Sequence, residues 1–189
     1  MFRKIAIFII KIYSAIFYPV KITNVEFIPD EPVAIVANHN NAKDPILIAM
    51  KYPRYFNILA KKELFKNKFL NWFFKKLGAI PVDRNKNDFA VLRKAISLLK
   101  KDDLMLFPEG TRNRDKSKPL PAQPGVVIIA KKANAKILPI TIKSTYKIFK
   151  KTQIYIHKPV SVENIESSEY QNFCDNLMKQ IYGELNESH

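Results

Sequence analysis

The chain has 189 residues, enough for one domain with a core of its own. Its 47% hydrophobic and 26% charged residues exclude a disordered chain, and its single cysteine, Cys174, excludes an internal disulfide framework and a cysteine-built zinc site. Lys+Arg 32 against Asp+Glu 17, a formal net charge of +15, leaves two readings open: a polyanionic partner, or a solvated lysine-rich surface.

The N-terminal stretch MFRKIAIFIIKIYSAIFYPVK breaks its apolar run at Lys11, so it holds no uncharged stretch of about 18 residues that could span a bilayer. No small-residue cleavage site follows a clean apolar core. Wound as a helix, Lys4, Lys11 and Tyr18 fall on one line, and the rest of the cylinder is almost entirely Ile, Ala, Phe and Tyr. A narrow basic stripe on a broad apolar face predicts a helix lying in a membrane interface over residues 1–24. Its contacts would be Phe2, Lys4, Phe8, Lys11 and Phe17. The alternative is a helix docked on the protein's own core, for which the apolar arc is too wide. Residues 25–189 are then the α/β domain.

VAIVA (33–37) reads as a short buried strand, and Asp44-Pro45 as an N-cap with proline in the first turn of a helix running to about Met50. YFNILA (55–60) is a strand. Residues 62–78 are predicted as one helix with Phe65, Phe69, Trp72 and Phe73 on one face. With Lys75 nearby, Phe69, Trp72 and Phe73 make a second aromatic-basic surface suited to a membrane. Strands follow at 79–83, 103–108, 136–142 and 152–160. Helices are predicted at 87–101, at 125–134 and from about Ser168, where Ser168 and Gln171 match a capping box. Strands and helices alternating at these lengths predict an α/β fold with a largely parallel sheet flanked by helices.

Three of the strands end in loops that carry chemistry. Asn38, His39 and Asp44 follow 33–37, Asp83 and Arg84 follow 79–82, and Glu109, Gly110, Thr111 and Arg112 follow 103–107. In a parallel sheet those ends share one edge, where open α/β folds place their ligands. His39 is the natural general base, because imidazole titrates near neutral pH. Asp44 can orient the ring through its other nitrogen, or simply cap the helix. No serine or cysteine lies among residues 38–44, 83–84 and 108–114 and Thr111 has no activating base, which argues against a covalent nucleophile. Arg84, Arg112 and Arg114 suit bidentate phosphate binding, surface salt bridging being the alternative. Gly110 lets the backbone approach an anion, and Glu109 can hold the arginines in place or bond a substrate hydroxyl. Cys174, in the tail helix, reads as buried and inert. His157 and His189 lie too far off to build a metal site with His39.

NHNNAKD (38–44), GAIPVDR (78–84), FPEGTRNR (107–114) and ILPITI (137–142) appear in the order of the four motifs of glycerolipid acyltransferases. AKKEL (60–64) also recurs in bacterial members. The chain resembles the 1-acyl-glycerol-3-phosphate acyltransferases of that superfamily. The resemblance implies transfer of a fatty acyl group from acyl-CoA or acyl carrier protein to the free hydroxyl of a lysophospholipid. It makes His39 the base, with Asp44 behind it, and gives the acceptor's phosphate to Arg84, Glu109, Gly110, Thr111 and Arg112, with help from Lys62. It implies no cofactor, no metal, no nucleic-acid partner, and a place on the cytoplasmic face of a membrane with an anionic surface. Two stretches depart from the family's usual residues: Asn40, Asn41 and Ala42 after the histidine, and Ala122-Gln123-Pro124-Gly125 after the third motif. Neither includes a proposed catalytic group. Both leave the acceptor open, so acylation of another lysolipid is the rival within the chemistry. A basic membrane- or nucleic-acid-binding protein without activity is the rival outside it.

Overall fold

The computed structural model describes residues 15–82, 89–115 and 118–186, with Ile5, Phe8, Ile9 and Ile12 of the N-terminal segment. Its strands are β1 (Val20–Thr23), β2 (Val33–Ala37), β3 (Phe56–Lys61), β4 (Ala79–Val82), β5 (Asp103–Leu106), β6 (Lys136–Lys143) and β7 (Thr152–Ile156). They form a seven-stranded sheet in the order β1-β7-β6-β2-β5-β3-β4. Every neighbouring pair is parallel except β6 and β7. The helices are α1 (Asp44–Lys51), α2 (Lys68–Lys76), α3 (Phe89–Leu99), α4 (Gly125–Ala133) and α5 (Tyr170–Asn186).

The α/β architecture with a largely parallel sheet follows the sequence pattern. All five residues of β2 are buried, as a central strand covered on both faces requires. Alternation along β2 divides them between two cores. Ala34 and Val36 pack with Leu99 of α3, Val127 and Ala130 of α4, and Leu177 and Ile181 of α5. Val33, Ile35 and Ala37 pack on the other face with Leu47 and Ile48 of α1. At the edge where these strands begin, Asp103 is buried and accepts from Arg54 Nε at 3.1 Å, Tyr52 Oη at 2.7 Å and the Val33 N–H at 2.9 Å. The Arg54 guanidinium also donates to the carbonyls of Pro29 and Asp30.

The structure corrects four local expectations. Val20–Thr23 is an edge strand paired with β7, so these residues belong to the sheet although they fall inside the first 24. Tyr18 is buried as well, with its hydroxyl against Lys43 Nζ. The expected single helix over 62–78 is a 3-10 turn at Lys62–Phe65 followed by α2. The break comes at Asn67, whose extended backbone and side-chain oxygen cap α2 by accepting from the N–H groups of Phe69 and Leu70. The last helix is entered through a capping box of Glu166 and Glu169 rather than Ser168 and Gln171. Gln171 instead donates to the Ala122 carbonyl and the Asp175 carboxylate. Asp44 is the first residue of α1, not its cap, and its carboxylate turns back toward the preceding loop.

Candidate active site

β2 and β5 are parallel neighbours, with Val36 opposite Leu106, so the loops after them rise side by side. Asn38 is pinned first. Its side chain donates to the Ile142 carbonyl at 3.0 Å and accepts from the Ile142 N–H at 2.8 Å, tying the end of β2 to β6. His39 follows, stacked on Phe107 with ring centroids 3.9 Å apart and 18° between planes. Its side chain keeps 13% exposure.

His39 Nδ1 lies 3.0 Å from Asp44 Oδ2. The same oxygen accepts the N–H groups of Asn40 at 2.9 Å and Asn41 at 2.8 Å. A carboxylate can only accept, so Nδ1 carries the ring proton and the neutral imidazole presents Nε2 as its basic nitrogen. The expected geometry, a histidine ahead of the helix folding back over its first turn, is what these bonds build. Tyr146, from the loop after β6, is half-buried, with its hydroxyl enclosed near Asp44. Burial, and then the carboxylate, hold it protonated.

Glu109 ties the two loops together. It is buried, and Oε1 accepts the His39 N–H at 3.0 Å while Oε2 accepts the Leu120 N–H at 3.2 Å. The Tyr182 hydroxyl of α5 sits 3.1 Å from both oxygens. A carboxylate held in this way braces the two loops against each other, at the wall of the cavity formed by Gly110 and Thr111. Asn113 completes the brace. Its N–H donates to the His39 carbonyl at 2.6 Å, and its side chain donates to the Lys118 carbonyl and Tyr182 Oη. Burial, with Glu109 second, pushes the Tyr182 phenol above its ordinary range, so it stays a donor.

The remaining expected residues take different places. Gly110, at φ 65, makes a turn that a side chain would strain. It lines a cavity of about 450 Å³ with Thr111, Gln123 and Gly125 at the start of α4. Thr111 and Arg112 are exposed on the same loop, and Lys62 is exposed just after β3, on the same edge of the sheet. Arg84 and Asp83 lie outside the described residues, as do Phe2, Lys4 and Lys11. Ile5, Phe8, Ile9, Ile12 and Ile16 are helical and exposed. Phe17 is half-buried against Phe149. Phe69 and Trp72 are exposed on α2. Phe73 turns inward and lines an apolar cavity of about 380 Å³ with Ala42, Pro45, Ile46, Ala49 and Phe74. Among the described residues, no three or more His, Cys, Asp or Glu side chains gather as a metal site would need. Cys174 is buried, which pushes its thiol up to about 11. Again among the described residues, no helix is long and apolar enough to cross a membrane.

The model of the Acyltransferase family matches residues 19–143, from β1 through the end of β6. The chain belongs to the acyltransferase family. It is 37% identical over 123 residues to the 1-acyl-sn-glycerol-3-phosphate acyltransferase of Streptococcus pneumoniae, a match covering 62% of this chain and 45% of that protein. It is 35% identical over 138 residues to the enzyme of that name from Bacillus subtilis, covering 70% of this chain and 68% of that one. The crystal structure of the 1-acyl-sn-glycerophosphate (LPA) acyltransferase PlsC from Thermotoga maritima superposes with a TM-score of 0.78 at 28% identity, covering 99% of this chain and 82% of that one. The chain spans 45% and 60% of the length of the Streptococcus pneumoniae and Saccharomyces cerevisiae relatives.

Proposed function

We propose that this acyltransferase-family chain moves a fatty acyl group from a thioester, acyl-CoA or acyl carrier protein, to the free hydroxyl of 1-acyl-glycerol-3-phosphate, forming phosphatidic acid. The observation that carries the reading is the His39–Asp44 pair, with Nδ1 engaged at 3.0 Å and Nε2 the basic nitrogen. Nε2 takes the proton of the acceptor hydroxyl as the oxygen attacks the thioester carbonyl. Asp44 stabilises the imidazolium that forms. Collapse of the tetrahedral adduct expels the thiolate, which takes the proton from Nε2, so no covalent enzyme intermediate and no cofactor is needed.

The two cavities divide the substrates. The apolar cavity beside α1 suits an acyl chain. The cavity at Gly110 and Thr111, beside the N-terminus of α4, suits the acceptor's phosphate, with Arg112, Arg84 and Lys62 as its cationic partners. The placement of Arg112 and Lys62 on this edge supports a phosphate-bearing acceptor over a neutral one. Acylation of a different lysophospholipid is the second reading, favoured by the Asn40-Asn41-Ala42 departure.

The exposed apolar side chains of the N-terminal segment, with Phe69 and Trp72 of α2, support a peripheral seat on an anionic membrane surface. We place it on the cytoplasmic face, where the thioester donors are made.

His39→Ala tests the chemistry. Turnover with a lysophosphatidate and an acyl thioester should fall by about 10² to 10⁴, the contribution of a general base, while the melting temperature stays near that of the parent. Near-parental turnover in the folded variant removes the mechanism.

A further inference from the structure

The loop between β6 and β7 exposes Ile148 by 51% and Phe149 by 67%, among exposed Lys147, Lys150 and Lys151. A loop that only reversed the chain in water would carry glycine and small polar residues. Here two aromatic residues sit in the left-handed region, Tyr146 at φ 58 and Phe149 at φ 63, where a bulky side chain is an outlier. Neighbours hold them there. The Phe149 N–H donates to the Phe17 carbonyl at 2.7 Å and the Thr152 N–H to the Pro19 carbonyl at 2.8 Å. Ser144 Oγ accepts from the Tyr146 N–H at 3.0 Å and meets Thr152 Oγ1 at 2.7 Å. The Phe149 ring lies against Phe17, centroids 5.7 Å apart. The loop is therefore fastened where the N-terminal segment joins the sheet, with Phe149 against Phe17, the residue that follows the exposed Ile16.

We infer that residues 147–151 are a further membrane foothold, in which Ile148 and Phe149 enter the interface of an anionic phospholipid bilayer and Lys147, Lys150 and Lys151 meet its headgroups. The inference rests on the membrane reading above and adds a surface to it. Charge selects the occupant. Three lysines flank two apolar side chains within five residues, and an anionic leaflet attracts each of them. A second copy of this chain carries the same +15 and is repelled.

The test uses the full chain with Trp72→Phe and Phe149→Trp, which leaves the introduced indole as the only one. With phosphatidylglycerol–phosphatidylcholine vesicles its emission should shift to the blue and be quenched by brominated acyl chains. I148S/F149S should weaken vesicle partition at least tenfold, because two large apolar side chains lose their burial. K147Q/K150Q/K151Q should lose most of the preference for phosphatidylglycerol over phosphatidylcholine alone. If the chain sediments with vesicles while the indole stays unshifted, this inference falls and the membrane reading survives. If the parent chain binds no vesicle, both fall. A blue shift that grows with protein concentration in the absence of lipid makes a second copy the occupant and overturns the proposal. Should I148S/F149S fail to fold, the indole decides alone.

Discussion

At the scale of single residues, the placement of His39 rests on bonds made by its backbone as much as by its ring. Its N–H is held by Glu109 and its carbonyl by Asn113, and Tyr182 touches both of those residues. Tyr182→Phe takes a donor from a buried carboxylate, at a cost of about 1–3 kcal/mol in stability. It should also lower kcat while leaving KM for both substrates near the parent's, because the hydroxyl steadies the proposed base, His39, and lies behind it. Denaturant unfolding and steady-state kinetics check the two halves, and a large rise in either KM would count against the bracing role. The pairing of His39 with Asp44 was legible in the sequence from their residue types and spacing. The brace was not. Glu109 reads as an active-site acid among arginines, and only its burial shows that its lone pairs are spent on backbone N–H groups. Nothing in the sequence around Tyr182 distinguishes it from an ordinary core tyrosine on a helix face.

Elements carry their own penalties when their ends are disturbed. Arg54 fastens the start of β5, through Asp103, to the segment leading into β2, on the edge opposite the site. Arg54→Met leaves the buried Asp103 carboxylate with Tyr52 Oη and the Val33 N–H alone. The loss should be about 3 kcal/mol, the low end for breaking a buried ion pair, since the Arg54 side chain keeps 31% exposure. Urea unfolding measures it, and a change below about 1 kcal/mol would mean that solvent screens the pair. Helices and central strands were legible from apolar periodicity and proline placement. Their boundaries were less so, because capping is decided by backbone shape. Asn67 lies inside an amphipathic pattern that continues past it on both sides, and the last helix is entered two residues earlier than the Ser168 pattern suggests, with Ser168 already inside the 3-10 turn. The edge strand β1 escaped notice because four residues following a helix-patterned run carry no alternation long enough to register.

For the whole molecule, β1 decides where a truncation can be made. Removing residues 1–14 spares Phe17, Tyr18 and the strand, so the domain should still fold while binding to anionic vesicles drops sharply and the remainder becomes more salt-sensitive. Removing residues 1–24 strips β1 from β7 and should lower the melting temperature as well. Vesicle sedimentation with thermal unfolding separates the two, and equal vesicle binding by the 1–14 deletion would make the segment a core element. The largely parallel sheet was readable from alternation alone. The single antiparallel pair, β6 with β7, was not, since strand direction depends on the short connection between them. That reversal sets the partner of β1: Asn24, just past the strand, bonds Ile156 across 132 residues of chain. During synthesis at about 5–20 residues per second, β1 therefore waits roughly 7–26 seconds for β7 to leave the ribosome. Throughout that interval the apolar stretch ahead of β1 is already outside the ribosome and has no sheet behind it. On the proposed membrane reading, a nascent chain can be held at a lipid surface before the sheet that carries His39 is complete, so location would precede catalysis in time as well as in sequence.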